Sequence, residues 1–87
     1  MANHISAKKR IRRNARQEIV NKIRKNRVRS FIKKVEIAIE KADKLLATEA
    51  FKNAQPEMHK SVTKGVFKKN TISRKLSKLS LRIKKIA

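Results

Sequence analysis

From Ser6 to about Asp43 the chain holds no glycine, no proline and no cluster of turn-forming residues, and the whole of its 87 residues contains one of each, Gly65 and Pro56. Tight strand connections need residues that reach positive φ or fix a turn, so a chain this poor in them cannot build a sheet of several strands. Its apolar residues recur at intervals of three and four, the period of a helix face, not at the two of a strand. The expected fold class is all-α. Ser6 suits an N-cap, with a hydroxyl that accepts from the amides of a first turn. A first helix over 6–43 is then a rod about 55 Å long at about 1.5 Å per residue.

That rod has two unlike halves. At 100° per residue, Val28, Phe31, Ile32, Val35, Ala38, Ile39, Ala42, Leu45 and Leu46 fall on one arc, with Lys33, Glu36, Glu40 and Lys44 opposite. This half is expected to pack on other helices. Over residues 1–27 the apolar row thins to Ile11, Ala15, Ile19 and Ile23, and basic side chains point nearly all round. A helix charged on most sides has no core of its own to dock on, so this segment is expected to project as an arm and to be ordered by a partner.

A second helix is expected over about 45–64, starting near Asp43 or Thr48, with Leu46, Ala47, Ala50, Phe51, Ala54, Met58 and Val62 on one face and Gly65 as its C′ stop. Pro56 removes one ladder bond and crowds the carbonyl of Lys52, but the stripe stays in phase across it, which favours one helix kinked at Pro56 over two short ones. A third helix, about 68–86, carries Ile72, Leu76, Leu79, Ile83 and Ile86 as a narrow seam. Asn70 or Thr71 is its expected cap. Beside the seam, Arg74, Lys75, Lys78, Arg82 and Lys85 share one flank. Three amphipathic segments with short connections give a single domain over 1–87, an antiparallel three-helix bundle with a long, partly projecting first helix. In it the Lys64 to Asn70 turn returns to the root of the arm, and both basic zones lie toward that end.

Charge narrows the function. Lysine and arginine number 26 against six acids, a net charge of +20. Residues 1–34 hold 13 basic side chains and only Glu18 as an acid, residues 64–87 hold nine and no acid, and residues 35–63 are nearly neutral. Over 8–16 and 74–85 like charges stack at i, i+3 and i+4, which weakens an isolated helix by a few tenths of a kcal/mol per pair. A polyanion offsets that repulsion, and nucleic acid is the polyanion best matched to it.

Little else is available for chemistry. The chain has no cysteine, two histidines (His4 and His59) and no glycine-rich phosphate loop. Glu57 and His59, two apart on a helix, point different ways and are expected to be solvated surface groups. Ser6, Ser30, Ser61, Ser73, Ser77 and Ser80 have no triad partners and are expected as caps or phosphate contacts. No catalytic residue, metal, cofactor or small-molecule substrate is expected, and the protein is not expected to be an enzyme. The absence of cysteine fits a reducing compartment, with the cytoplasm as default. No long apolar run exists to span a membrane. The Arg-rich start superficially mimics a transit peptide, but the helical pattern continues past residue 30 without a break in composition.

No helix-turn-helix, zinc ligand set, RNP aromatic motif or GxxG loop is present, and three phenylalanines are too few for a single-strand stacking platform. Backbone and shape reading remain, and a long cationic arm suits the crevices between packed RNA helices.

Five strings are more specific: Ser6-Ala7-Lys8-Lys9-Arg10, Arg29-Ser30-Phe31-Ile32-Lys33-Lys34, Ala50-Phe51 ahead of Gln55-Pro56, Lys64-Gly65, and Lys68-Lys69-Asn70-Thr71-Ile72-Ser73-Arg74-Lys75. In this order, over nearly the whole chain, they closely resemble the family of the bacterial small-subunit ribosomal protein numbered twenty. The chain departs from the usual pattern at Lys68, where a histidine is common, and is rich in isoleucine. The resemblance implies a three-helix bundle bound to 16S ribosomal RNA near the base of the small subunit. It places RNA contacts at Lys8, Lys9, Arg10, Arg12, Arg13 and Arg16 in the arm and at Lys68, Lys69, Asn70, Arg74 and Lys75 after the turn. Charge and position add Arg24, Lys25, Arg27, Arg29, Lys64, Lys78 and Arg82 to the expected set. Neighbouring small-subunit proteins are further expected partners. The rival readings are an architectural, nucleoid-type DNA-binding protein and a membrane-active cationic helix, the second poorly served by the broken apolar row of residues 5–27.

Overall fold

With no glycine or proline in its first 55 residues, the chain starts on one long helix. A computed structural model describes residues 2–86, with side chains from Ser6 to Ile86, and in it α1 runs Ala2–Glu40. Ser6 is therefore an exposed residue inside the helix and not its N-cap. A cap is a preference worth about 1 kcal/mol, not a barrier, and nothing in residues 2–5 forbids helical φ and ψ. The side chain of His4 lies outside the described residues.

The far end of α1 stops three residues short of the expected boundary. Ala42 takes φ +55°, its amide bonds the Ile39 carbonyl at 2.9 Å, and the Asp43 amide bonds that of Ala38 at 3.2 Å. This is a Schellman stop made without glycine. Asp43 is freed to cap α2 (Lys44–Thr63), with its carboxylate accepting from the Leu46 amide at 3.1 Å. Ala42, Leu45 and Leu46 consequently leave the α1 stripe: all three are exposed, Leu45 by 83%.

α2 continues unbroken through Pro56. Pro56 and Lys52 are both on the solvent side, where water can satisfy the carbonyl that proline leaves without a donor. The helix ends in a second Schellman pair, Gly65 to Val62 at 3.0 Å and Val66 to Ser61 at 2.9 Å, with Gly65 at φ +71° as the expected C′ residue. A Cβ there would meet nothing within 4 Å, so backbone conformation alone asks for glycine.

α3 (Lys69–Lys84) completes an antiparallel bundle. The core comprises Val28, Val35 and Ala38 of α1, Ala47, Ala54 and Met58 of α2, and Ile72, Leu79 and Ile83 of α3. Buried alanines on both α1 and α2 let those two helices approach closely, and their pairing is the most extensive in the fold. α3 lies mainly on α2 and touches α1 least. Nothing covers α1 before the bundle begins: residues 6–20 are all exposed, including Ile11 by 67% and Ile19 by 61%. The arm stretches the molecule to 67 × 20 × 15 Å.

Candidate nucleic-acid interface

The arm presents its cations without competition. Lys8, Lys9, Arg10, Arg12, Arg13 and Arg16 are all exposed, and most of them, with Ser6, surround one shallow concavity on the helix. Lys25 is exposed farther along and Arg24 half-exposed.

Arg27 marks the junction with the bundle. Its Nε donates to Glu57 Oε2 at 3.0 Å and its Nη2 to Oε1 at 3.2 Å, a two-pronged bond between α1 and α2. The guanidinium also lies 5.4 Å from the centroid of the Phe31 ring, with Lys34 Nζ 5.3 Å from the same centroid. Arg27, expected to contact RNA, keeps 62% of its side chain exposed while its bond to Glu57 fixes the arm's root. Glu57, expected as a solvated group, has only 17% of its side chain exposed. The hydrogen bond from Arg27 holds its carboxyl below the ordinary value, aided by the charges of Arg27 and Lys60 and opposed by desolvation. Ser61, expected as a cap or phosphate contact, is likewise internal: it is buried and its hydroxyl donates to the Met58 carbonyl at 2.6 Å.

Lys64 comes back to the root as the antiparallel turn requires, beside Arg24, Arg27 and Lys60. From here α3 starts on an open N-terminus. Its N-cap is Lys68, at φ −75° and ψ 144°, and among the described residues no side chain caps the first-turn amides. The expected caps Asn70 and Thr71 fall inside the helix, because Lys68 already supplies the first helical carbonyl, to Ile72 at 3.2 Å. Unbonded amides at the positive end of a helix, among the exposed Lys68, Lys69 and Asn70, favour a phosphate oxygen.

The rest of α3 diverges from the expected clustering. α3 runs in the same direction as α1, so Arg74, Lys75 and Lys78 face Arg29, Lys33 and Glu36 across a groove, floored by Val28, Ile32 and Ile72. Arg82 is exposed two turns beyond Lys75 and is carried away from the arm. Lys75 Nζ reaches Glu36 Oε1 at 2.9 Å. Lys33, absent from the expected set, joins the groove wall. A single helix pattern shows that Lys33 lies off the α1 stripe, but only the placement of α3 shows what it faces.

Among the described residues no group of three His, Cys, Asp or Glu is placed to hold a metal ion, and no helix is long and apolar enough to cross a membrane.

The family model described as Ribosomal protein S20 matches residues 2–84. A small ribosomal subunit protein bS20 of Gluconobacter oxydans is 60% identical over 87 residues, all of this chain and 98% of that protein. One of Rhodospirillum rubrum is 57% identical over 99% of this chain and 98% of its own length, and one of Hyphomonas neptunium is 56% identical over the whole of both.

Proposed function

The chain belongs to the ribosomal protein S20 family, structural and not enzymatic components of the small ribosomal subunit, and from that premise we propose that it binds 16S ribosomal RNA directly, through phosphate-backbone and shape contacts, and stabilises packed RNA helices. The observation that carries this reading is the meeting, at one end of the bundle, of an exposed cationic arm with an uncapped helix start flanked by lysines. Phosphates of one RNA helix lie along Lys8, Lys9, Arg10, Arg12, Arg13 and Arg16. Those of another lie at Lys64, Lys68, Lys69 and Asn70. Joining two such sites across the arm's root is what a crevice between packed RNA helices rewards and a single duplex does not. The protein works in the cytoplasm, on the ribosome, beside neighbouring small-subunit proteins.

Binding to structured small-subunit RNA and to duplex DNA of equal length, at moderate salt, tests the proposal. The RNA is expected to bind tighter by at least an order of magnitude. Equal affinities would favour an architectural DNA-binding role.

A further inference from the structure

The α1–α3 groove differs from the rest of the cationic surface in having an apolar floor and a carboxylate. Its rim carries Arg29 and Lys33 on one wall and Arg74 and Lys78 on the other. Ile32 and Phe67, both half-buried, lie within it. Like charges on facing walls repel, which accords with the sparse packing of α3 on α1 and calls for an anion on the rim. A floor of this kind does not suit phosphate. A duplex is too wide to enter a groove between two neighbouring helices, whereas a single unpaired nucleotide can.

Glu36 decides which one. A carboxylate repels phosphate, and in a cationic groove it can accept more donors than the one the protein supplies. Lys75 occupies Oε1 at 2.9 Å, and Oε2 makes no hydrogen bond among the described residues. Guanine is the one standard base with two adjacent donors, N1–H and N2–H, on its Watson–Crick edge. Adenine and cytosine offer a carboxylate one donor, their amino group, beside an acceptor that it repels, and uracil offers one imino proton between two acceptors, so each gives at most one hydrogen bond where guanine gives two.

We propose that this groove receives one unpaired guanine of the bound RNA, with its base over Ile32 and against Phe67, its Watson–Crick edge donating to Glu36, and its phosphates between Arg29 and Lys33 on one side and Arg74 and Lys78 on the other. This deepens the RNA-binding reading and rests on it. The site adds one base-reading contact to an interface otherwise made on backbone.

The test uses the full chain with seven-nucleotide uridine oligomers carrying guanosine, inosine, adenosine or uridine at the centre, bound in moderate salt and followed by fluorescence anisotropy. The guanosine oligomer is expected to bind about tenfold tighter than the uridine and adenosine ones, with inosine, which lacks the N2 amino group, between them. Glu36→Gln is expected to remove most of that preference. Lys75→Ala, which breaks the same ion pair but keeps the carboxylate, retains it, and Lys78→Ala weakens all four oligomers alike. Equal affinities, a preference surviving Glu36→Gln, or a preference lost equally in Glu36→Gln and Lys75→Ala overturns the proposal. Structured small-subunit RNA measured alongside separates the two levels. If that RNA binds but guanosine is not preferred, the guanine site alone fails; if it does not bind, both readings fail.

Discussion

At φ +55° the Cβ of Ala42 crowds its own carbonyl, a strain of about 1–2 kcal/mol that glycine does not feel. Glycine gives back part of this through the larger backbone freedom of its unfolded chain, about 0.5–1 kcal/mol. Ala42→Gly is therefore expected to stabilise the fold by about 0.5–1 kcal/mol, read as a higher urea midpoint. A lower midpoint would show that the Schellman turn is not strained. Glu57 sets a pH dependence of known sign. Its folded value is depressed by the hydrogen bond from Arg27, so the stability it contributes is present above the ordinary carboxylate range and is lost as pH falls through the depressed value. Glu57→Gln should lower the urea midpoint at neutral pH and flatten its decline into acid. A decline as steep as that of the unmodified protein would assign the titration to another carboxylate. Neither residue was legible in sequence. Ala42 continues the α1 pattern, and Glu57 finds its cation 30 positions away.

At the start of α3, Lys68 bears on both stability and the proposed RNA binding. Lysine at the N-cap accepts nothing from the first-turn amides. Lys68→Ser should stabilise the helix by about 0.5–1 kcal/mol while weakening RNA affinity, because a serine hydroxyl competes for the amides and the charge is gone. Thermal melting and RNA titration on the same sample check this, and a rise in both would show that phosphate does not use this helix end. For α1, the exposed arm has no tertiary contact to add to helix propensity, and its stacked like charges oppose it. Amide exchange of the RNA-free protein is expected to be fast over residues 8–24 and slowed by RNA; strong protection without RNA would contradict the partner-ordered arm. The sequence made the three helices legible because each carries a stripe of period 3.6, and Gly65 marked the α2 stop by its chemistry. It did not give the α1 stop or the α3 cap, since alanine in a left-handed turn and lysine at a cap both run against local preference. Such violations concentrate where tertiary structure or a ligand compensates.

Over the whole molecule, charge separates along the chain: two cationic zones flank a nearly neutral middle that supplies α2, the element holding the bundle together. That division was readable from residue counts, and the projection of the arm from its thinned apolar row. The spread of α3's cations along a groove was not, because it depends on α3 running with α1 and away from the arm. In the proposed RNA binding, the arm and the α2–α3 turn neutralise phosphates independently and together. The salt dependence of binding to structured small-subunit RNA checks this, compared among the unmodified protein, Arg12/Arg13/Arg16→Ala, and Lys64/Lys69→Ala. Each neutralised phosphate contributes about 0.7–0.9 to the slope of log K against log salt. The arm variant should flatten the slope by about 2–3 and the turn variant by about 1–2, and the reductions should add when the two are combined, with the bundle's melting unchanged. An unaltered slope in either variant would show that the cations removed meet no phosphate.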